Sequence, residues 1–115
     1  MAANESGSIV SLSSMAGQIG LDGGAAYGAR KARLTSMTRA WAAEYSPSGV
    51  RVNAVPPGPV NSGGAAPERT EAVGATTLTG RAASPGEIAE AVAFLASPRA
   101  SYITGAIVAA DGTAI

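Results

Sequence analysis

The sequence predicts an α/β fold built on a doubly wound parallel sheet. The main observation is order: β-branched runs and helical segments follow one another as strand, long helix, strand, helix, strand. Parallel strands need helical crossovers, and right-handed ones place helices on both faces of the sheet. The second observation is composition. Of the 115 residues 46% are apolar and 14% charged, too greasy and too weakly charged for a disordered tail. A chain of this length is one small domain or a piece of a larger one.

Ile9-Val-Ser-Leu-Ser opens after Gly7 and reads as the first strand. Gly17, Gly20, Gly23 and Gly24 with Asp22 read as a loop. From Ala25 to about Tyr45 good helix formers dominate, and Leu34, Met37, Thr38, Trp41 and Tyr45 recur at helical spacing. Pro47 and Gly49 end that helix. Arg51-Val-Asn-Ala-Val is the second strand, stopped by Pro56-Pro57-Gly58-Pro59. Residues 60 to 83 read as a mobile excursion with a short helix near Glu68 to Val73. Ser84-Pro85-Gly86-Glu87 is a capping box with proline at the first helical position. Ile88, Ala91, Val92 and Leu95 follow on one helix face, Pro98 ends it, and Ala106-Ile-Val-Ala is the third strand before Asp111-Gly112.

Charge and absences narrow the function. Eight Lys and Arg balance eight Asp and Glu, so no basic face is available to displace counterions from nucleic acid or to bind an anionic membrane. The chain has no cysteine and no histidine, which removes disulfides, thiolate chemistry, Cys-ligated metals and every imidazole base. Met1 to Gly7 lacks the basic and apolar regions of a leader, and no apolar run approaches the roughly 18 residues of a membrane span. A cytoplasmic location is expected.

Proton chemistry is left to carboxylates, to Tyr27, Tyr45 or Tyr102, and to Lys31, the only lysine. Tyr27 and Lys31 stand four residues apart at the start of the long helix and share a face. An ammonium beside a phenol favours the phenolate, which is the form that accepts a proton. Ser14, with Ser13, stands thirteen residues before Tyr27 at the end of the first strand, where a hydroxyl could polarise a substrate oxygen. Exposed Tyr–Lys pairs are ordinary on helices, so the pair alone is a weak signal.

The ordered runs are more specific. Gly7-Ser-Ile-Val-Ser-Leu-Ser-Ser-Met-Ala-Gly, Tyr27-Gly-Ala-Arg-Lys, Gly49-Val-Arg-Val-Asn-Ala-Val-Pro-Pro-Gly and Tyr102-Ile-Thr-Gly-Ala-Ile-Val-Ala-Ala-Asp-Gly resemble the short-chain dehydrogenase/reductase family in register from about residue 7 to 112. The resemblance implies a Rossmann-like domain and an oxidoreductase that interconverts alcohol and carbonyl groups with NAD or NADP. It implies Ser14 as the catalytic serine, Tyr27 as the general acid/base, and Lys31 as the residue that supports the tyrosine and binds the nicotinamide ribose. Pro57, Gly58 and Val60 would lie against the nicotinamide, with the Val60 backbone on the carboxamide. Ser62 stands at a position where the family usually has threonine.

Four further positions depart from the pattern. Ser11 replaces an asparagine, Arg30 a small residue before the lysine, Pro56 a small residue in the loop, and Thr113 a second glycine after Asp111-Gly112. The family's glycine-rich pyrophosphate turn and catalytic asparagine have no counterpart in these residues, and Gly20-Leu-Asp-Gly-Gly lacks the spacing to replace that turn. The expectation is therefore the last three strands of the family fold, the catalytic half without the pyrophosphate half. The alternative reading is a catalytically incompetent interaction module. Asp22 and Asp111 read as turn residues, Met37 and Trp41 as core or subunit-interface residues, and Glu68, Arg69 and Glu71 as a solvated face. A small-molecule substrate is implied, together with a homo-oligomer or a separate N-terminal half as partner, because the first strand would have an exposed apolar edge along Ser8 to Ser13.

Overall fold

The computed structural model describes residues 1–15, 23–63 and 66–113. Five regular elements are built in the expected order: β1 (Gly7–Leu12), α1 (Ala25–Tyr45), β2 (Val50–Val55), α2 (Pro67–Gly74) and α3 (Pro85–Ala96). Single 3-10 turns flank them at Ala2–Asn4, Ser46–Ser48 and Pro98–Ala100. The glycine-rich loop expected at Gly17–Gly24, with Asp22, lies outside the described residues except for Gly23 and Gly24. Among the described residues no helix is long and apolar enough to cross a membrane.

β1 and β2 pair in parallel, with Gly7 opposite Val50 and Leu12 opposite Val55. Successive strand residues point to opposite faces, and the core is divided accordingly. Ile9, Val50 and Val52 pack with Ala42 and Trp41 of α1. Val10 and Val55 pack with Ile88, Ala91, Val92 and Leu95 of α3. One helix on each face makes the doubly wound arrangement. β2 lies at its centre: Val52, Ala54 and Val55 have no exposed surface. The α1–β2 turn depends on Gly49, whose φ is +85° and whose added Cβ would strike the Glu5 carbonyl.

The third strand expected at 106–109 is present as a parallel run but not as a continuous strand. Ala54 N–H donates to Ala106 O and Val108 N–H to Ala54 O, each at 2.9 Å. Two residues on, Ala110 N–H donates to Pro56 O and Gly58 N–H to Ala110 O, each at 3.1 Å. The rung between these pairs needs an N–H at position 56, and proline has none. The ladder therefore splits into two isolated bridges, Ala54↔Ile107 and Pro57↔Ala110. Upstream, the buried Asn53 replaces a further rung with its side chain: Oδ1 accepts Ala106 N–H and Nδ2 donates to Ile103 O, both at 3.0 Å.

The segment expected to be a mobile excursion is anchored at several points. Asn61 N–H donates to Ala83 O at 2.8 Å and Ala83 N–H to Pro59 O at 2.9 Å, which makes a parallel bridge between Val60 and Ala83. Leu78 and Thr79 N–H groups donate to Thr113 and Gly112 carbonyls at 3.3 and 3.2 Å. The capping box forms as expected: the Glu87 carboxylate accepts Ser84 N–H at 3.0 Å. Arg51 ties the far end of α3 to β2, donating to Leu95 O at 2.8 Å, Ser97 O at 3.0 Å and Ile103 O at 3.3 Å. A guanidinium at a helix C-terminus meets carbonyls left without intrahelical donors.

Candidate active site

α1 carries the chain from beyond the carboxyl end of β1 back to the start of β2. Its first turns therefore stand at the carboxyl end of the sheet, where open α/β sheets hold ligands. Tyr27 lies there and is 46% exposed. The Lys31 Nζ is 5.7 Å from the centre of the Tyr27 ring, and the Arg30 guanidinium carbon is 6.0 Å from it. Residues three and four apart on a helix flank the first one, so the phenol is bracketed by two cations. No acidic residue occupies the first turn of α1.

Ser14 follows β1 and is half-buried. Its neighbour Ser13 is only 3% exposed, and the Ser13 Oγ is buried without a hydrogen-bond partner. Of the two serines, Ser14 is the accessible one. The next residue joins this end of β1 to the proline loop, because Met15 N–H donates to Pro57 O at 3.2 Å. Ser13 N–H donates to Val55 O at 3.1 Å just before it.

Gly58 is held against the end of the third run. A Cβ there would meet Asp111 Cα at 2.7 Å and Asp111 O at 2.8 Å, so only glycine allows this approach. Val60 is fixed by the bridge to Ala83, which uses Pro59 O and Asn61 N–H on its own strand. In a parallel bridge of this kind the central residue turns its own N–H and C=O to the opposite side. Val60 can thus offer both groups to a ligand. Ser62 lies two residues further on and is exposed. The geometry therefore brings Tyr27 and Lys31 together, and ties Ser14 to the Pro57–Val60 loop through Met15.

Sequence reasoning missed a small cavity of about 190 Å³ beside that loop, lined by Pro59, Thr79, Arg81, Glu87, Ile88 and Asp111 among others. Arg81 grips Glu87 with two bonds of 2.8 and 2.7 Å. That grip, with the Ser84 N–H, holds the Glu87 carboxyl well below the usual carboxylate range, at about 2. The pair spans a turn into a helix, so no helical or strand periodicity announces it. Among the described residues, no group of acidic, histidine or cysteine side chains could hold a metal.

The family model described as "Enoyl-(Acyl carrier protein) reductase" matches residues 1–113. The chain belongs to the short-chain dehydrogenase/reductase family. It is 46% identical over 116 residues to cis-4-hydroxycyclohexanecarboxylate dehydrogenase of Sinomonas cyclohexanicum, a match covering 97% of this chain and 46% of that protein. It is 45% identical over 119 residues to galactitol 2-dehydrogenase (L-tagatose-forming) of Cereibacter sphaeroides, covering 97% and 47%. A solved short-chain dehydrogenase/reductase family protein superposes with a TM-score of 0.86 at 48% identity, covering 98% of this chain and 47% of that one. The chain spans about half the length of the relatives it matches. The expected family and α/β architecture are thereby shown.

Proposed function

We propose that this chain carries the proton-relay half of an NAD- or NADP-dependent oxidoreductase interconverting alcohols and carbonyls. The observation that carries the reading is the Tyr27–Lys31 pair at the carboxyl end of the sheet, with the Lys31 ammonium 5.7 Å from the phenol ring. Ser14 holds the substrate oxygen by a hydrogen bond, and Tyr27 takes the hydroxyl proton on oxidation or returns it on reduction. The Lys31 ammonium stands beside the phenol ring as that proton is exchanged. Members of this class transfer hydride to or from the nicotinamide ring when the cofactor is bound.

The residues present fit the nicotinamide end of such a cofactor. Lys31 is suited to a ribose hydroxyl. The Val60 N–H and C=O, turned away from Ala83, are matched to a carboxamide, which needs one donor and one acceptor. Pro57 and Gly58 would present a flat apolar surface beside the ring, and Ser62 a hydroxyl nearby. The substrate class is a small alcohol or carbonyl compound.

The test is a fusion of this chain to the part of cis-4-hydroxycyclohexanecarboxylate dehydrogenase that lies outside the match. Oxidation of secondary alcohols would be followed with NAD and with NADP. Turnover is expected, and Tyr27→Phe should lower it by about 10²–10⁴-fold, the range for losing a positioned proton relay. Near-normal turnover in Tyr27→Phe refutes the assignment. A folded fusion with no turnover favours the interaction-module reading instead.

A further inference from the structure

Val60 lies on a bridge of only two hydrogen bonds. Asn61 N–H donates to Ala83 O at 2.8 Å and Ala83 N–H to Pro59 O at 2.9 Å, and the pair belongs to neither strand of the sheet. Two short runs paired by themselves are marginal in water. The support comes from α2, which lies across the bridge.

Glu71 and Gly74 stand three residues apart and share one face of α2. On one side of the bridge, Asn61 Nδ2 donates to the Glu71 carboxylate at 3.0 Å. On the other side Gly74 is buried against Ala82, where an added Cβ would strike the Ala82 backbone nitrogen. The residues that α2 grips are thus the neighbours of Val60 and of Ala83. All of these contacts join residues between 59 and 83, so the grip is complete within one segment.

Little else holds α2 in place. It spans eight residues, of which only Gly74 is buried. It starts from Ala66 at φ +62°, with no side-chain cap. A helix this short is marginal in water by itself, so α2 and the bridge support each other. Glu71 does not serve the helix: an acid in the last turn opposes the macrodipole, and alanine is the better helix former. What its carboxylate serves is Asn61, the residue next to Val60.

We propose that α2 is a clamp on the Val60–Ala83 bridge. Glu71, acting through Asn61, is then a positioning residue for the Val60 backbone, a role that rests on reading that backbone as the carboxamide site. Two measurements test it. In the 115-residue chain, limited trypsin digestion reads the opening of α2 as the first cut after Arg69, an exposed residue of that helix. Glu71→Ala strengthens the helix taken alone but removes the grip, so this cut should quicken about threefold or more. Asn61→Ala should do the same, and the double variant should add nothing further. Glu71→Gln keeps an acceptor oxygen and should retain most of the protection. Near-ultraviolet circular dichroism of Trp41 checks that each variant keeps its fold. In the fusion to the unmatched part of the dehydrogenase relative, titration with NADH and NADPH reads the loop. Glu71→Ala should weaken the tighter of the two by about threefold or more, with Glu71→Gln close to the unaltered fusion. Unchanged or slower cleavage in Glu71→Ala overturns the clamp. Faster cleavage with unchanged cofactor affinity overturns the positioning role and leaves the reading of Val60 standing. A fusion that binds neither cofactor refutes that reading, and the positioning role falls with it.

Discussion

Gly58→Ala would test whether the close approach at the carboxyl end of the sheet is required. The new Cβ would stand 2.7 Å from Asp111 Cα and 2.8 Å from Asp111 O. Both are backbone atoms, so no side chain can swing aside. Forcing an extra methyl group into a packed contact costs about 1–3 kcal/mol. Relieving it by moving the loop would stretch the Gly58–Ala110 and Met15–Pro57 bonds, at about 0.5–1.5 kcal/mol each. Against this, alanine restricts the unfolded chain and returns about 0.4–1 kcal/mol. The net destabilisation should be about 2–3 kcal/mol, or roughly 8–12 °C in Tm for a domain of this length. Urea unfolding followed by Trp41 fluorescence would measure it, with the midpoint falling and the slope unchanged. A loss below about 0.5 kcal/mol, the size of an ordinary surface substitution, would refute the reasoning.

Other expectations follow from the same structure. Thr113 has φ +55°, a conformation costing a β-branched residue about 1–2 kcal/mol. After the entropy of glycine, Thr113→Gly should stabilise by up to about 1 kcal/mol in thermal melts. Glu87 has a folded-state pKa lowered from 4.5 to about 2. Its stabilising contribution is complete above the unfolded value and is lost as pH falls through the folded one. Tm should therefore drop more steeply between pH 4.5 and pH 2 in the unaltered chain than in Glu87→Gln. Equal slopes would show that the Arg81 grip does not persist in solution. These residues hold no glycine-rich turn of the family spacing, the feature whose helix N-terminus receives a pyrophosphate. Calorimetric titration of the 115-residue chain with NAD and NADP should give dissociation constants weaker than micromolar.

The elements were legible because their signals are local. The β-branched runs at 9–12 and 51–55, the proline stops and the Ser84–Glu87 box each depend on a few adjacent residues. The structure places their boundaries within about two residues of the sequence reading. The Tyr27–Lys31 proximity was legible for the same reason, since helical spacing alone sets it. What sequence could not show depends on distant partners. Pro56 announces a stiff loop, but not that the missing N–H falls on a rung facing residue 108. Gly58 announces a turn, while its actual constraint is Asp111, more than fifty residues away. Arg51 reads as an alternating strand charge, yet it serves two carbonyls at the end of α3 and a third at Ile103. The segment before Ala83 looked mobile because several of its ties are backbone bonds to Pro59, Gly112 and Thr113, which leave no trace in side-chain pattern.

A ladder with a missing rung need not open as one unit. Upstream of Pro56, the third run is clamped to β2 by the Ala54 bonds and the Asn53 amide, over residues with no solvent contact. Downstream, the Pro57–Ala110 bridge holds on partly exposed backbone. Opening free energy follows buried contact and protected hydrogen bonding, so the downstream bridge can unzip while the upstream clamp stays shut. The loop from Pro57 to Val60 sits on the part that opens first. Local fraying of the sheet's carboxyl end would then move the Pro57–Val60 loop while Val52, Val55 and Leu95 stay dry.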